Sequence, residues 1–150
     1  MARTPRELKR SYPLPVYNYR VVVEGETMSF SRVTGIKLAY DTVTYRHGLS
    51  FLEGERMQTF DFDSFFSVTF ERGMALGATP LVLYAWMRAK ESRGVEVSLC
   101  DEKGESVITW KIAHAVAVKL EAPTFDASSN EVAIERLELQ VRGLSIAGES

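Results

Sequence analysis

The sequence predicts a mainly β chain, an antiparallel barrel or sandwich of about seven or eight strands with one α-helix on its flank. Three observations carry this. Apolar and polar residues alternate with period two in segment after segment, glycines and one Asp-x-x-Gly turn punctuate those segments, and a single stretch after Thr79-Pro80 carries helical periodicity. With 150 residues, 45% of them hydrophobic, the chain is long enough to bury one sizeable core. One domain, residues 16–150, is therefore expected behind an N-terminal arm, residues 1–15.

Val16 to Glu24 sets Tyr17, Tyr19, Val21 and Val23 against Asn18, Arg20 and Glu24, and Gly25 closes this first strand with a turn. A second strand is expected over Met28 to Val33, ended by Gly35. A third, unusually long, runs from Ile36 to Arg46 with Ile36, Leu38 and Tyr40 on one face. Residues 47–63, HGLSFLEGERMQTFDFD, sustain neither period and read as a long loop. Structureless loops longer than about 12–15 residues are uncommon in compact domains and tend to be functional or disordered. Phe51, Leu52, Met57, Phe60 and Phe62 make this one too apolar to remain in water, so a covering partner is expected.

Ser64 to Glu71 is the next strand, with Phe66, Val68 and Phe70 on one face. Thr79 as N-cap and Pro80 at the first helical position then open the helix. Leu81, Tyr84, Ala85 and Arg88 form one stripe with Leu83, Trp86 and Met87 beside it, and Gly94 suits the C-cap. Val95 to Asp101 and Glu105 to Leu120 flank the tight turn Asp101-Glu102-Lys103-Gly104. On the second of these strands Ile108, Trp110, Ile112, His114, Val116, Val118 and Leu120 are expected to face the core. Val107, Thr109, Lys111, Ala113, Ala115, Ala117 and Lys119 then form the other face. A connector containing Pro123 and Asp126 to Asn130 leads to a last strand, Glu131 to Arg142. There the apolar phase slips between Val132/Ile134 and Leu137/Leu139/Val141, which predicts a β-bulge or burial on both faces.

The formal net charge of −2 and the pI of about 5.8 leave no excess of positive charge for a phosphate backbone, which argues against nucleic acid as the main partner. Arg3, Arg6, Lys9 and Arg10 are followed by no apolar h-region, and no apolar run approaches the roughly 20 residues that span a bilayer. A soluble, unprocessed chain is expected. Cys100, the only cysteine, allows no internal disulfide.

A catalytic reading finds little. His47, His114 and Cys100 lack the short-range pairs of zinc ligands, so His114 reads as a hydrogen-bonded core or interface residue and Cys100 as a small packed one. Asp61 and Asp63 read as charges guarding Phe60, Phe62 and Phe65 rather than as an acid/base pair. No phosphate loop, dinucleotide fingerprint, EF-hand or nucleophile elbow is present. No enzyme activity, cofactor or metal is expected.

The segment Pro123 to Leu144, PTFDASSNEVAIERLELQVRGL, resembles the C-terminal signature of the inner-tube (tail tube) proteins of contractile phage tails and phage-tail-like injection systems. YPLPVYNYRVVVEG, FSRVTGIKLAYDTVTYRHG, FFSVTFERG and the turn followed by ITWKIAHAVAVKLEAP agree in order and spacing, so the resemblance covers nearly the whole chain. It implies a subunit of hexameric rings that stack into a hollow tube, with a sheath, a baseplate, a spike and luminal cargo as partners. It also implies assembly in a bacterial cytoplasm before release as a particle, with nucleic acid present only as passing cargo. On this reading the loop bearing Gly48, Leu49, Phe51, Leu52, Glu53, Arg56, Met57 and Phe60 meets the neighbouring ring. Lys111, Ala113, Ala115 and Lys119 face a water-filled lumen. The chain departs from the family pattern in lacking an MPG-like stretch in this loop and in carrying Ala117 where relatives often have proline. Either departure fits a tube-initiating or baseplate-adaptor paralogue. Outside the family, the alternative is a small ligand-binding β-barrel.

Overall fold

The computed structural model of the chain describes residues 13–39, 41–45, 56–60, 65–74 and 81–148. Among them run nine strands and one helix: β1 (Tyr19–Val23), β2 (Glu26–Met28), β3 (Arg32–Thr34), β4 (Asp41–Tyr45), β5 (Arg56–Phe60), β6 (Phe66–Gly73), α1 (Val82–Ala89), β7 (Arg93–Cys100), β8 (Ser106–Glu121) and β9 (Ile134–Gly148). Local chemistry sets the turns. Glu24 and Gly25, both at positive φ, fold β1 back onto β2. The Asp101 carboxylate accepts hydrogen bonds from the backbone N–H groups of Lys103 (2.9 Å) and Glu105 (3.0 Å), and Gly104 takes the left-handed conformation that folds β7 onto β8.

Seven strands form one antiparallel sheet in the order β2-β1-β7-β8-β9-β6-β3, and β4 pairs with β5 as a separate ribbon. The two outermost strands, β2 and β3, are joined by residues 29–31 alone. A chain advances at most about 3.3–3.6 Å per residue, so the sheet must curl until its edges approach. Phe30, in that link, is buried and lies 4.6 Å from the Phe70 ring of β6, while the Tyr19 hydroxyl of β1 donates to the Phe30 carbonyl. Val21, Val23, Val68, Phe70, Val95, Val97, Ile112, Ala115, Ala117, Leu137, Leu139 and Val141 then share one core with Leu83 and Trp86 of α1. The expected barrel-like antiparallel architecture with a flanking helix is what forms.

Several local expectations are corrected. Met28 to Val33 is not one strand, because the chain crosses there from one sheet edge to the other. Residues 35–39 carry no strand, so the long third strand reduces to β4, and the 47–63 segment contains β5. On α1 the buried residues are Leu83 and Trp86, whereas Leu81, Tyr84, Ala85 and Arg88 are exposed. Lys90 (φ 55°), not Gly94, ends the helix in the left-handed region, and Gly94 belongs to β7. The expected start at Thr79-Pro80 lies outside the described residues.

The largest correction concerns β8. Val95 stands opposite Ile112 but Arg93 opposite Ala115, and on the other side Leu144 pairs with Ile112 and Val141 with Ala115. Core-facing positions on β8 and β9 are therefore three residues apart at this point. Gly143 (φ 77°) absorbs the step on β9, where a Cβ would come within 2.9 Å of the Ala113 Cβ. A second bulge leaves Val118 as an extra residue between the Ala117–Leu139 and Lys119–Glu138 pairs. The core face thus reads Ile112, Ala115, Ala117, Leu120, and His114 and Val118 turn outward. On β9 the apolar slip has another cause. Its register with β6 is unbroken from Val141 to Ile134, and the position in phase with Leu137, Leu139 and Val141 is the buried Glu135, whose carboxylate lies 3.5 Å from Arg72 Nε.

Candidate functional site

The outward face of the sheet is polar and laterally paired. Its registers place Val22, Glu96, Lys111 and Ser145 in one row across β1, β7, β8 and β9. Further along, Lys119 Nζ lies 2.7 Å from the Glu121 carboxylate and Arg136 Nε 2.6 Å from that of Glu71, and Gln140 Nε2 donates to Ser67 Oγ at 2.9 Å. The hydrogen bond and charge of Lys119 hold the Glu121 carboxyl below its ordinary pKa, and those of Glu121 lift Lys119. Lys111, Ala113 and Lys119 are exposed on this face. Ala115 is not: it is 0% exposed and belongs to the core. His114 donates to or accepts from Ser92 Oγ through Nδ1 at 3.3 Å on the surface, and Cys100 is buried.

At one end of the β8–β9 hairpin, residues 122–133 form an ordered loop. The Asp126 carboxylate accepts hydrogen bonds from Ser128 Oγ (2.7 Å) and Ser128 N–H (3.0 Å), which keep it ionised to lower pH than usual, and Glu131 N–H donates to Ser129 Oγ at 3.1 Å. This loop presents Phe125, 86% exposed, and Val132, 70% exposed, on one concavity of about 490 Å3 that Pro123, Asp126, Glu131 and Arg136 also line. At the other end of the hairpin Asn18 Nδ2 donates to the Asp101 carbonyl, and the adjoining Val16 and Tyr17 are exposed. Neither patch is anticipated by strand periodicity. The signal for the first was available: an aromatic residue set in a Pro/Asp/Ser/Asn-rich connector has no strand to bury it.

Of the loop residues expected at a ring contact, Gly48, Leu49, Phe51, Leu52 and Glu53 lie outside the described residues, as do His47, Asp61 and Asp63. Arg56, Met57 and Phe60 lie on β5, which pairs with β4 in the register Asp41–Phe60 to Tyr45–Arg56. Among the described residues no three His, Cys, Asp or Glu side chains converge to hold a metal ion. No described helix is long and apolar enough to cross a membrane.

The tail-tube resemblance read from the sequence is supported by direct comparison. The family model of the T4-like virus tail tube protein gp19 matches residues 15–145. Among solved structures, the chain is similar to one in the sheath–tube complex of the extracellular contractile injection system PVC in its extended state, at 26% identity and a TM-score of 0.86 over 99% of this chain and 100% of that one. It is also similar to the tube-terminating cap of the anti-feeding prophage (26% identity, TM-score 0.83, 93% of each chain). The PVC sheath/tube terminator is comparable (28% identity, TM-score 0.81, 92% of this chain and 99% of that one). No curated protein matches the chain. With the family model running from ahead of β1 into the last strand, β9, the chain belongs to the T4-like virus tail tube protein family, a family of structural tube components.

Proposed function

We propose that this chain is the repeating subunit of the inner tube of a contractile injection system. Copies close into hexameric rings, the rings stack into a hollow tube inside a sheath, and contraction drives the tube and its cargo through a target envelope. The observation that carries the reading is the full-length likeness to a chain of the sheath–tube complex. Sheath, baseplate and spike proteins are the expected partners, and a bacterial cytoplasm the place of assembly. The polar, laterally paired face bearing Lys111, Ala113 and Lys119 suits a water-filled lumen, and a closed ring covers the short edge strands β2 and β3. The 47–63 segment, including Arg56, Met57 and Phe60 of the β4–β5 ribbon, meets the neighbouring ring. A small ligand-binding barrel fits less well, because Phe70, Trp86, Leu137 and Leu139 fill the interior.

A tube-end paralogue is the second reading, favoured by the likeness to the cap and the terminator. Negative-stain electron microscopy of the purified full chain separates the two, with a variant lacking Gly48 to Gln58 alongside. Long stacks of rings that the deletion abolishes are expected of the repeating subunit. Single rings that never stack point to the tube end, and a monodisperse monomer at all concentrations overturns ring formation.

A further inference from the structure

Arg72 and Glu135 form an inward-facing ion pair in an otherwise apolar layer. Arg72 Nε lies 3.5 Å from the Glu135 carboxylate and the two side chains are 11% and 9% exposed, on the face that also carries the fully buried Phe70, Leu137 and Leu139. Withdrawing two charges from water costs about as much as their attraction returns, and an apolar pair of similar volume is often as stable or more so. Stability alone therefore gives no reason for the pair, whereas its position does. β6 and β9 pair from Phe66–Val141 to Gly73–Ile134, and the apolar residues by themselves do not fix that register. Sliding β6 two residues one way sets Val68 against Val141 and Phe70 against Leu139. Sliding it the other way sets Phe66 against Leu139 and Val68 against Leu137. Either shift keeps the same face inward and apolar side chains opposite one another. On its far side β6 is held, among the described residues, by the three residues of β3.

The charges discriminate where the apolar residues do not. In the first shift Arg72 meets Leu137 and Glu71 meets Glu138; in the second Glu135 meets Phe70 and Arg72 meets Ala133. Each leaves a buried charge without its counter-ion, which is strongly unfavourable. In the native register Arg72 stands opposite Glu135 inside, and Glu71 stands opposite Arg136 outside at 2.6 Å with the signs reversed. We infer that the Arg72–Glu135 pair is a register lock, selecting from the pairings that the apolar residues of β6 and β9 allow the one from which the rolled sheet is built. An error of two residues would displace β6 by about 7 Å along β9 and carry β3 with it. The lock acts within one subunit and does not depend on what the subunit assembles into.

Disulfides between engineered cysteines read the register. In the full-length chain Ser67→Cys is combined with Gln140→Cys, its native partner, with Arg142→Cys, its partner after the first shift, or with Glu138→Cys, its partner after the second. A shift of two residues preserves the type of cross-strand pair, so the three combinations have the same geometric opportunity to close. Each is built in the wild-type background, with Arg72→Met/Glu135→Leu, and with the charge-swapped Arg72→Glu/Glu135→Arg. After mild oxidation at low protein concentration, peptide mapping of the monomer identifies the disulfide and separates it from any made by Cys100. The wild-type and charge-swapped backgrounds should close only the 67–140 pair. The apolar background should keep wild-type circular dichroism and close, besides 67–140, at least one of the 67–142 and 67–138 pairs. The 67–140 disulfide alone from the apolar background overturns the inference, the register then being set by packing such as that of Phe30 on Phe70, 4.6 Å apart. So does an apolar background that fails to fold, which makes the pair a requirement of stability, and so do shifted disulfides from either charged background.

Discussion

Replacing Trp86 by alanine should remove much of what fixes α1 to the sheet, and the cost follows from its contacts. The side chain is 1% exposed, its indole N–H donates to the Glu91 carbonyl at 3.2 Å, and the Arg93 guanidinium sits 5.2 Å from the ring centroid. Truncating a buried tryptophan to alanine costs about 3–5 kcal/mol. The lost hydrogen bond, about 1 kcal/mol, and the lost cation–π contact, about 0.5–1 kcal/mol, belong within that total. We expect about 4 kcal/mol for Trp86→Ala and about 1–2 kcal/mol for Trp86→Phe, which keeps most of the packing. Tyr84→Ala, on the exposed face of the same helix, should change stability by less than about 0.5 kcal/mol. Urea unfolding followed by far-ultraviolet circular dichroism, at low protein concentration, reads these differences. With a slope of about 2 kcal/mol/M, the midpoint should fall by roughly 2 M for the alanine variant. A loss below about 1 kcal/mol for Trp86→Ala, or a larger loss for Tyr84→Ala, would refute the assignment of Leu83 and Trp86 as the anchoring face.

Ala115→Lys should prevent folding, because it places an unpaired charge in a filled core, whereas Ala113→Lys on the exposed side of the same strand should fold; soluble yield and circular dichroism decide. Gly35→Ala should destabilise by about 1–3 kcal/mol, measured in the same urea assay, since Gly35 sits at φ 101° and a Cβ there would meet the Ser67 carbonyl oxygen at 2.5 Å. Asp126 has a folded-state pKa lowered by its bonds to Ser128, so its contribution is present above the ordinary carboxylate range, about pH 4, and is lost as pH falls through the folded value. Hydrogen exchange at the Ser128 amide should accordingly lose protection only below about pH 4, and loss of protection already at pH 6 would contradict the linkage.

Features that rest on nearest neighbours along the chain were legible in the residues themselves. Period-two alternation located β1, β6 and β7, the Asp101-to-Gly104 turn was legible from its own residues, and segments between Tyr12 and Leu144 that agree with the family in sequence order and spacing carried the resemblance that the comparison then supported. Composition also argued against a nucleic-acid partner. Where the periods break was settled by packing between strands distant along the chain. A bulge is stabilised by the strand opposite, so nothing local to Ala113 and His114 announces that the core face passes from Ile112 to Ala115. Glu135 hid the true phase of β9 because its burial depends on Arg72, 63 positions away on a different strand. The helix buries Leu83 and Trp86 rather than Leu81 and Tyr84 because the rotation of a helix about its axis is set by the sheet beneath it, and an apolar pattern this broad permits either face. The same reason governs Phe125 and Val132: the sequence shows that they are apolar, but only the arrangement of the strands leaves them exposed among the described residues.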